Sequence, residues 1–167
     1  SFVQNIYMLL NKFFFIELSE MELDKKDLEI LKILVEDARL SYRKIAERVG
    51  VSIGTIISKV KKLEDAGVIK GYSAILDHEK LGYVLTVITE VTVAKGKLLE
   101  TGEEIAKNPN VCCVYDVTGL TDAIVIAKFK TREELSNFTK SLLKMPYIER
   151  TNTHLALTTL KEDFTLI

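Results

Sequence analysis

The sequence predicts an α+β chain of two small domains: three short helices, then a strand and linker, then a β-α-β-β-α-β run. Three observations carry that prediction. Up to about residue 70, apolar residues recur at helical spacing behind a run of capping residues. From Tyr83 onward, segments of strand alternation are interleaved with helical ones. Between the two, Asp77 to Gly82 reads DHEKLG, a short polar stretch suited to a linker. The expected organisation is an extension over residues 1–20, a helix-turn-helix domain over 21–70, a strand and linker over 71–82, and a second domain over 83–167. The 167 residues suffice for two small domains, and no internal repeat or low-complexity tract interrupts them.

The first twenty residues place Phe2, Val3, Ile6, Leu9, Leu10 and Phe13 on one helical face, with Gln4, Asn5, Asn11 and Lys12 opposite. This pattern predicts an amphipathic helix that needs a partner surface, and a second subunit is the expected one. A membrane span needs about twenty predominantly apolar residues; here Asn11 and Lys12 break the run. The basic start and small-residue cleavage site of a signal peptide are missing as well.

Asp24 is a candidate N-cap for a first helix reaching about Glu36, with Leu23 and Leu28 at staple spacing and Leu28, Leu31, Leu34 and Val35 expected inward. Ser41 is the next N-cap, with Leu40 and Ile45 as a staple; this helix should pack through Ile45, Ala46 and Val49. Gly50 supplies the turn, since a positive φ costs glycine nothing, and Val51 anchors it. Ser52 then caps a third helix that Gly67 ends in the manner of a C′ glycine.

In this third helix, at about 100° per residue, Ile53, Ile56, Val60 and Leu63 share one side. Gly54, Thr55, Ser58, Lys61 and Lys62 share the other. The second side is small, polar and basic, as a helix entering the major groove requires: small residues let the backbone approach base edges, and lysines reach the flanking phosphates. The chain as a whole carries a net charge of −1. Its positive charge is nevertheless local, because Arg39, Arg43, Lys44, Arg48, Lys59, Lys61, Lys62 and Lys70 face only Glu47, Glu64 and Asp65 between positions 39 and 70. The expected DNA contacts are Arg39, Tyr42, Arg43, Ser52, Gly54, Thr55, Ile57, Ser58, Lys59, Lys61 and Lys62, and the expected partner is double-stranded DNA.

Val68 to Leu76 alternates like a strand. In the second domain Tyr83 to Val93 reads as a strand, and Leu98 to Lys107 as a helix burying Leu98, Ile105 and Ala106. Val111 to Thr118 and Ala123 to Phe129 follow as two strands around a Gly119-Leu120-Thr121-Asp122 turn. Thr131 and Glu134 suggest a capping box opening a helix that buries Leu135, Phe138 and Leu142, and Ile148 to Leu160 is the last strand. This order implies a ferredoxin-like sheet with both helices on one face. The other face then needs a cover, and a second subunit is expected to supply it.

Cys112 and Cys113 lack metal-ligand spacing and read as buried or half-buried thiols, and His78 and His154 read as structural. No phosphate loop, HExxH or nucleophile elbow is present. Catalytic residues, metal ligands and cofactors are therefore not expected.

The run Leu23-Asp24, Ile30-Leu31, Asp37-Ala38-Arg39, Ile45-Ala46, Val51-Ser52, Thr55, Val60-Lys61-Lys62-Leu63-Glu64 and Gly67-Val68-Ile69 resembles the Lrp/AsnC, or feast/famine, family of prokaryotic transcription regulators. The resemblance extends from about Met21 to the C-terminus. It implies a winged-helix-like reading domain and a non-enzymatic cytoplasmic regulator that forms homodimers and higher assemblies such as octamers. It also implies a small-molecule effector, an amino acid, held by the Gly-x-x-Asp loop of Gly119, Leu120, Thr121 and Asp122. Members often carry Pro and Ser after the position of Ser52 and basic residues in mid-helix. This chain has Ile53, Gly54, Ile57 and Ser58 instead, so Ile57 is expected against a thymine methyl. Two other readings compete: a tetrapyrrole enzyme resembling sirohaem decarboxylases, which needs a basic, His-bearing pocket, and a stand-alone amino-acid sensor, which needs no basic helix face.

Overall fold

The computed structural model describes residues 22–167, so the amphipathic segment expected over residues 1–20 lies outside the described residues. The chain divides into two compact units, one reaching Ala74 and including Asp163–Ile167, the other Ile75–Glu162. Among the described residues no helix is long and apolar enough to cross a membrane.

The first unit contains α1 (Lys25–Glu36), α2 (Tyr42–Val49) and α3 (Ile53–Asp65). Each starts at its expected cap: Asp24, Ser41 and Ser52 accept from the backbone N–H groups of Asp27, Lys44 and Thr55. Gly50 adopts φ +70° between α2 and α3, and Gly67 adopts φ +69° after α3. At that second glycine the N–H groups of Val68 and Ile69 return to the Leu63 carbonyl and close the helix end. Ile30, Ile45, Ile56, Val60 and Leu63 are wholly buried and form the core, with Leu40, Val51 and Ile69 packed around them.

The buried arc of α1 differs from the expected one. It runs Asp27, Ile30, Leu31, Ile33 and Leu34, while Leu28 and Val35 are about 40% exposed. Positions 27, 30, 31 and 34 are spaced as a helix's inward stripe requires, and the charged Asp27 is part of that stripe. Lys59 explains its burial. Lys59 Nζ, from the middle of α3, donates to Asp27 Oδ1 at 2.8 Å and to Asp24 Oδ2 at 2.6 Å. The second oxygen of Asp27 accepts from the Asp24 N–H at 3.0 Å, and Asp24 Oδ1 accepts from the Asp27 N–H at 2.8 Å. A carboxylate 1% exposed thus has both oxygens satisfied and its charge opposed.

The second unit is a four-stranded antiparallel sheet of order β2-β3-β1-β4, with β1 (Leu85–Val93), β2 (Val111–Asp116), β3 (Ala123–Phe129) and β4 (Ile148–Leu155). Helices α4 (Leu98–Ala106) and α5 (Arg132–Leu143) cover one face. Val87, Val91, Val125, Ala127 and Phe129 pack there with Ile105, Phe138 and Leu142. Register places Thr86, Ile88, Glu90 and Thr92 of β1, Ile124 and Ile126 of β3, and Arg150, Asn152 and His154 of β4 on the opposite, open face.

Several expected boundaries shift for identifiable reasons. Residues 67–84 form no strand: the alternation of Val68 to Leu76 is present, but every residue from 70 to 81 is exposed and no neighbouring strand pairs with it among the described residues. Alternation without a ladder partner leaves backbone groups to solvent. β4 stops at Leu155, opposite Val87, because β1 has almost no residues left beyond that point. β2 stops at Asp116, opposite Ala123. A register shift between Val111 and Cys113 places Cys112 in a bulge, so that thiol is exposed while Cys113 is half-buried. Ala106 is exposed and Leu135 only partly buried. Thr131 caps α5, but Glu134 reaches back to the Lys130 N–H rather than to the cap itself.

The Lys59 clamp has a stability signature. Its hydrogen bond from Lys59 holds the Asp24 carboxyl down to about 2, from 3.8, and the same two carboxylates raise Lys59 above 10.5. A depressed carboxylate contributes stability above its unfolded value and loses it as pH falls through the folded one. The urea midpoint should therefore drop between about pH 4 and pH 2, and Lys59→Met should flatten that step. At neutral pH the same variant, which leaves the Asp27 charge buried without its partner, should cost up to about 3 kcal/mol in urea unfolding.

Candidate nucleic-acid interface and ligand loop

The outward arc of α3 consists of Ile53, Gly54, Ile57, Ser58, Lys61 and Lys62, all exposed, whereas Ile56, Val60 and Leu63 are buried. A Cβ built on Gly54 meets only Ser52 Oγ, at 3.8 Å, and its φ is not in the left-handed region. Nothing in the fold therefore demands glycine there. Its effect is to thin the surface of the first turn, where a groove-reading helix comes closest to base edges.

Ser52 Oγ accepts from the Thr55 N–H at 3.1 Å and lies 2.9 Å from Thr55 Oγ1. These two hydroxyls, both among the expected DNA contacts, are first of all each other's partners at the cap. Tyr42, at the start of α2, is 39% exposed, and Arg39 and Arg43 flank it on the surface. Among the described residues Arg39, Arg43, Lys61 and Lys62 form no ion pair, so their charges are available to an external anion. Lys59 is the exception among the expected phosphate contacts: it faces inward, its side chain 19% exposed, and is occupied by Asp24 and Asp27.

Sequence reasoning missed Ile53, which it placed in the core. The residue is 42% exposed, beside Ile57 at 49%. On the helical wheel Ile53 lies about 50° from the centre of the buried arc, a marginal position that was a signal in plain view. The two isoleucines make an apolar ridge along a polar, basic face, suited to thymine methyl groups. Beyond α3, Tyr72 donates to Glu64 Oε1 at 2.9 Å, and burial with the adjacent carboxylate pushes its phenol up to about 12. Glu64 is thereby drawn toward Tyr72.

In the second unit the Gly-x-x-Asp loop is fastened to β1. Asp122 N–H and Thr121 Oγ1 both donate to the Val91 carbonyl, at 3.0 and 2.8 Å, and Asp122 Oδ2 accepts from the Val93 N–H at 2.8 Å. Gly119 turns at φ +131°, which disfavours any side chain. Asp122 was expected to meet an effector; its carboxylate is engaged in holding the loop. Leu120 is fully exposed. With Thr121 it borders a pocket of about 400 Å³ on the open sheet face, lined also by Glu90, Thr92, Arg150 and Asn152. The structure thus brings two of the four expected loop residues to a cavity and uses the other two to shape the turn.

Comparison with known proteins fits this two-part layout. Residues 23–70 match the family model described as winged helix-turn-helix DNA-binding, and residues 86–166 match the Lrp/AsnC ligand binding domain. An uncharacterised HTH-type transcriptional regulator of Pyrococcus furiosus is 51% identical over 146 residues, 87% of this chain and 99% of that protein. An HTH-type transcriptional regulator of Pyrococcus horikoshii is 39% identical over 84% of this chain and 93% of its own length. Among solved structures, a transcriptional regulator of Neisseria meningitidis in complex with L-Met superposes with TM-score 0.79 at 30% identity, covering 87% of this chain and 96% of that one.

Two substitutions test the geometry. Gly54→Ala should raise helix stability by up to about 1 kcal/mol while weakening DNA binding, read by thermal melting and fluorescence anisotropy on the same preparation. Asp122→Ala should cost about 1.5–3 kcal/mol through the lost Val93 contact, whereas Asp122→Asn, which keeps an acceptor there, should melt close to wild type.

Proposed function

The chain belongs to the Lrp/AsnC family of DNA-binding transcription regulators, non-enzymes with a helix-turn-helix unit and a ligand-binding unit, and from that premise we propose that it is a sequence-specific cytoplasmic regulator whose response is set by an amino acid. The observation that carries the proposal is the outward arc of α3: a capped helix presenting Gly54, Ile57, Ser58, Lys61 and Lys62, all exposed. Lys61, Lys62, Arg39 and Arg43 hold phosphates, Gly54 permits close approach, and Ile53, Ile57 and Ser58 read base edges. Tyr42, Ser52 and Thr55 support the same surface from the helix starts.

The effector half of the proposal draws on the pocket beside Leu120 and Thr121 and on the methionine complex of the Neisseria relative. Assembly is proposed through the open sheet face, where Ile88, Ile124 and Ile126 line up across β1 and β3 beside Cys113 and Tyr115 of β2. An apolar strip of this kind on a sheet suits a second copy of the same strip. Dimers formed this way can build higher assemblies such as octamers, and a ligand that favours one assembly shifts the population only by its difference in affinity between them.

DNA affinity should fall steeply with salt, because each lysine–phosphate contact releases counterions; a flat dependence in an anisotropy titration would remove the phosphate-binding claim. In the same titration Lys62→Ala should weaken all sequences alike and lower the logarithmic slope by about one. Ile126→Lys in the full-length chain should reduce the mass measured by light scattering. An unchanged mass would move the assembly contact elsewhere.

A further inference from the structure

The outward arc of α3 carries little of the chemistry that tells one base pair from another by hydrogen bonding. Arginine, asparagine and glutamine, which pair with guanine or adenine through two bonds at once, are absent from the Ile53–Asp65 helix. Lys59 is held by Asp24 and Asp27. Lys61 and Lys62 lie in the third turn, beyond the N-terminal turns that approach base edges most closely. Glu64, whose carboxylate suits the amino group of cytosine, accepts from the Tyr72 hydroxyl at 2.9 Å. The hydroxyls of Ser52 and Thr55 lie 2.9 Å from each other at the cap. Ser58 remains, and a hydroxyl that both donates and accepts fits any base edge. What the first two turns do present is apolar, the exposed side chains of Ile53 and Ile57. Four residues apart on a helix, their Cβ atoms are roughly 5–6 Å from one another, a span of about two base-pair steps of roughly 3.4 Å each. Gly54 beside them adds no side chain that would hold this ridge off the bases.

Given the proposed DNA reading by α3, on which this rests, we infer that the helix selects DNA by the 5-methyl groups of pyrimidines, with Ile53 and Ile57 each packing on one methyl. Thymine places a single apolar group, its methyl at C5, in the major groove. Covering that methyl with an isoleucine takes apolar surface of both partners out of water and needs no donor or acceptor on the protein. Cytosine has a hydrogen at C5 and offers nothing to the ridge, whereas 5-methylcytosine offers the same methyl as thymine. The charges near the ridge fit this occupant. Arg39, Arg43, Lys61 and Lys62 are all exposed on the same unit, so an apolar ridge bordered by cations suits a polyanion with methyl groups in its groove better than an apolar protein surface. The ligand class is duplex DNA with 5-methylpyrimidines at two neighbouring positions, and methylation of a cytosine at such a position creates a contact that the unmodified base lacks.

Duplexes that the full-length wild-type chain recovers from a random pool test this by fluorescence anisotropy, with bases exchanged one at a time. Deoxyuridine in place of thymine, which removes only the methyl, should weaken binding about fourfold at each of two neighbouring positions. Where cytosine is placed at either position, its 5-methyl form should bind more tightly by a similar factor. Exchange of guanine for 7-deazaguanine, which removes the N7 acceptor, should change nothing. In Ile57→Ala the thymine and deoxyuridine duplexes should bind alike at one of the two positions, and in Ile53→Ala at the other. Each comparison is internal to one variant and independent of its stability. Sequence-selective binding in which deoxyuridine is neutral at every thymine would overturn methyl recognition and leave the DNA reading standing. Deoxyuridine sensitivity that survives in both variants would overturn the assignment to the two isoleucines. A loss of about tenfold with 7-deazaguanine would give the reading to a hydrogen-bonding side chain instead. Enrichment of no sequence from the pool would remove both the DNA reading and its methyl chemistry.

Discussion

The contact between Lys59 and the carboxylates of Asp24 and Asp27 fixes the first unit. It joins the start of α1 to the middle of α3 across more than thirty residues of sequence. A buried carboxylate tolerates only an arrangement that satisfies it, and Asp27 is satisfied when α3 lies with Lys59 inward. That orientation settles which residues of α3 are left outside. With Lys59, Ile56, Val60 and Leu63 turned in, the helical repeat leaves Gly54, Ile57, Ser58, Lys61 and Lys62 on the surface. One lysine of a basic helix thus has a structural task, and its neighbours gain a defined direction.

The second unit has a comparable division of labour on its open face. β3 and β2 present Ile124, Ile126, Cys113 and Tyr115, while β4 presents Arg150, Asn152 and His154, with β1 between them contributing Ile88 and Glu90. An apolar strip and a polar strip thus lie side by side on one surface. Lys128 occupies a corner of the same face, 7% exposed, its Nζ donating to Glu162 Oε2 at 2.8 Å and to Thr86 Oγ1 at 3.4 Å. A lysine in an otherwise apolar strand is tolerated because the tail after β4 supplies its counter-charge.

Asp122 shows why a residue's place in a motif and its task differ. The Gly-x-x-Asp spacing puts an acid at the end of a turn, and an acid there reads equally well as a ligand contact or as a loop fastener. The Val93 N–H engages one of its two oxygens, so the acid does fasten the loop. The loop it holds carries Leu120 and Thr121 to the rim of the pocket.

What the sequence determined by itself is everything that depends on residues close together in the chain. The caps Asp24, Ser41, Ser52 and Thr131, the turn at Gly50, the helix end at Gly67 and the strand-helix order of the second unit follow from hydrogen bonds and sterics over three to five residues. The family pattern was legible for the same reason, being a string of such local features. The tertiary structure alone decided the direction of Lys59, the burial of Asp27, the exposure of Ile53, the missing ladder over residues 67–84 and the placing of Glu90 and Arg150 on one sheet face. In each case the deciding partner lies far away in sequence or is absent. A side chain's periodicity says that it has a face, but only the packed neighbours say what that face meets.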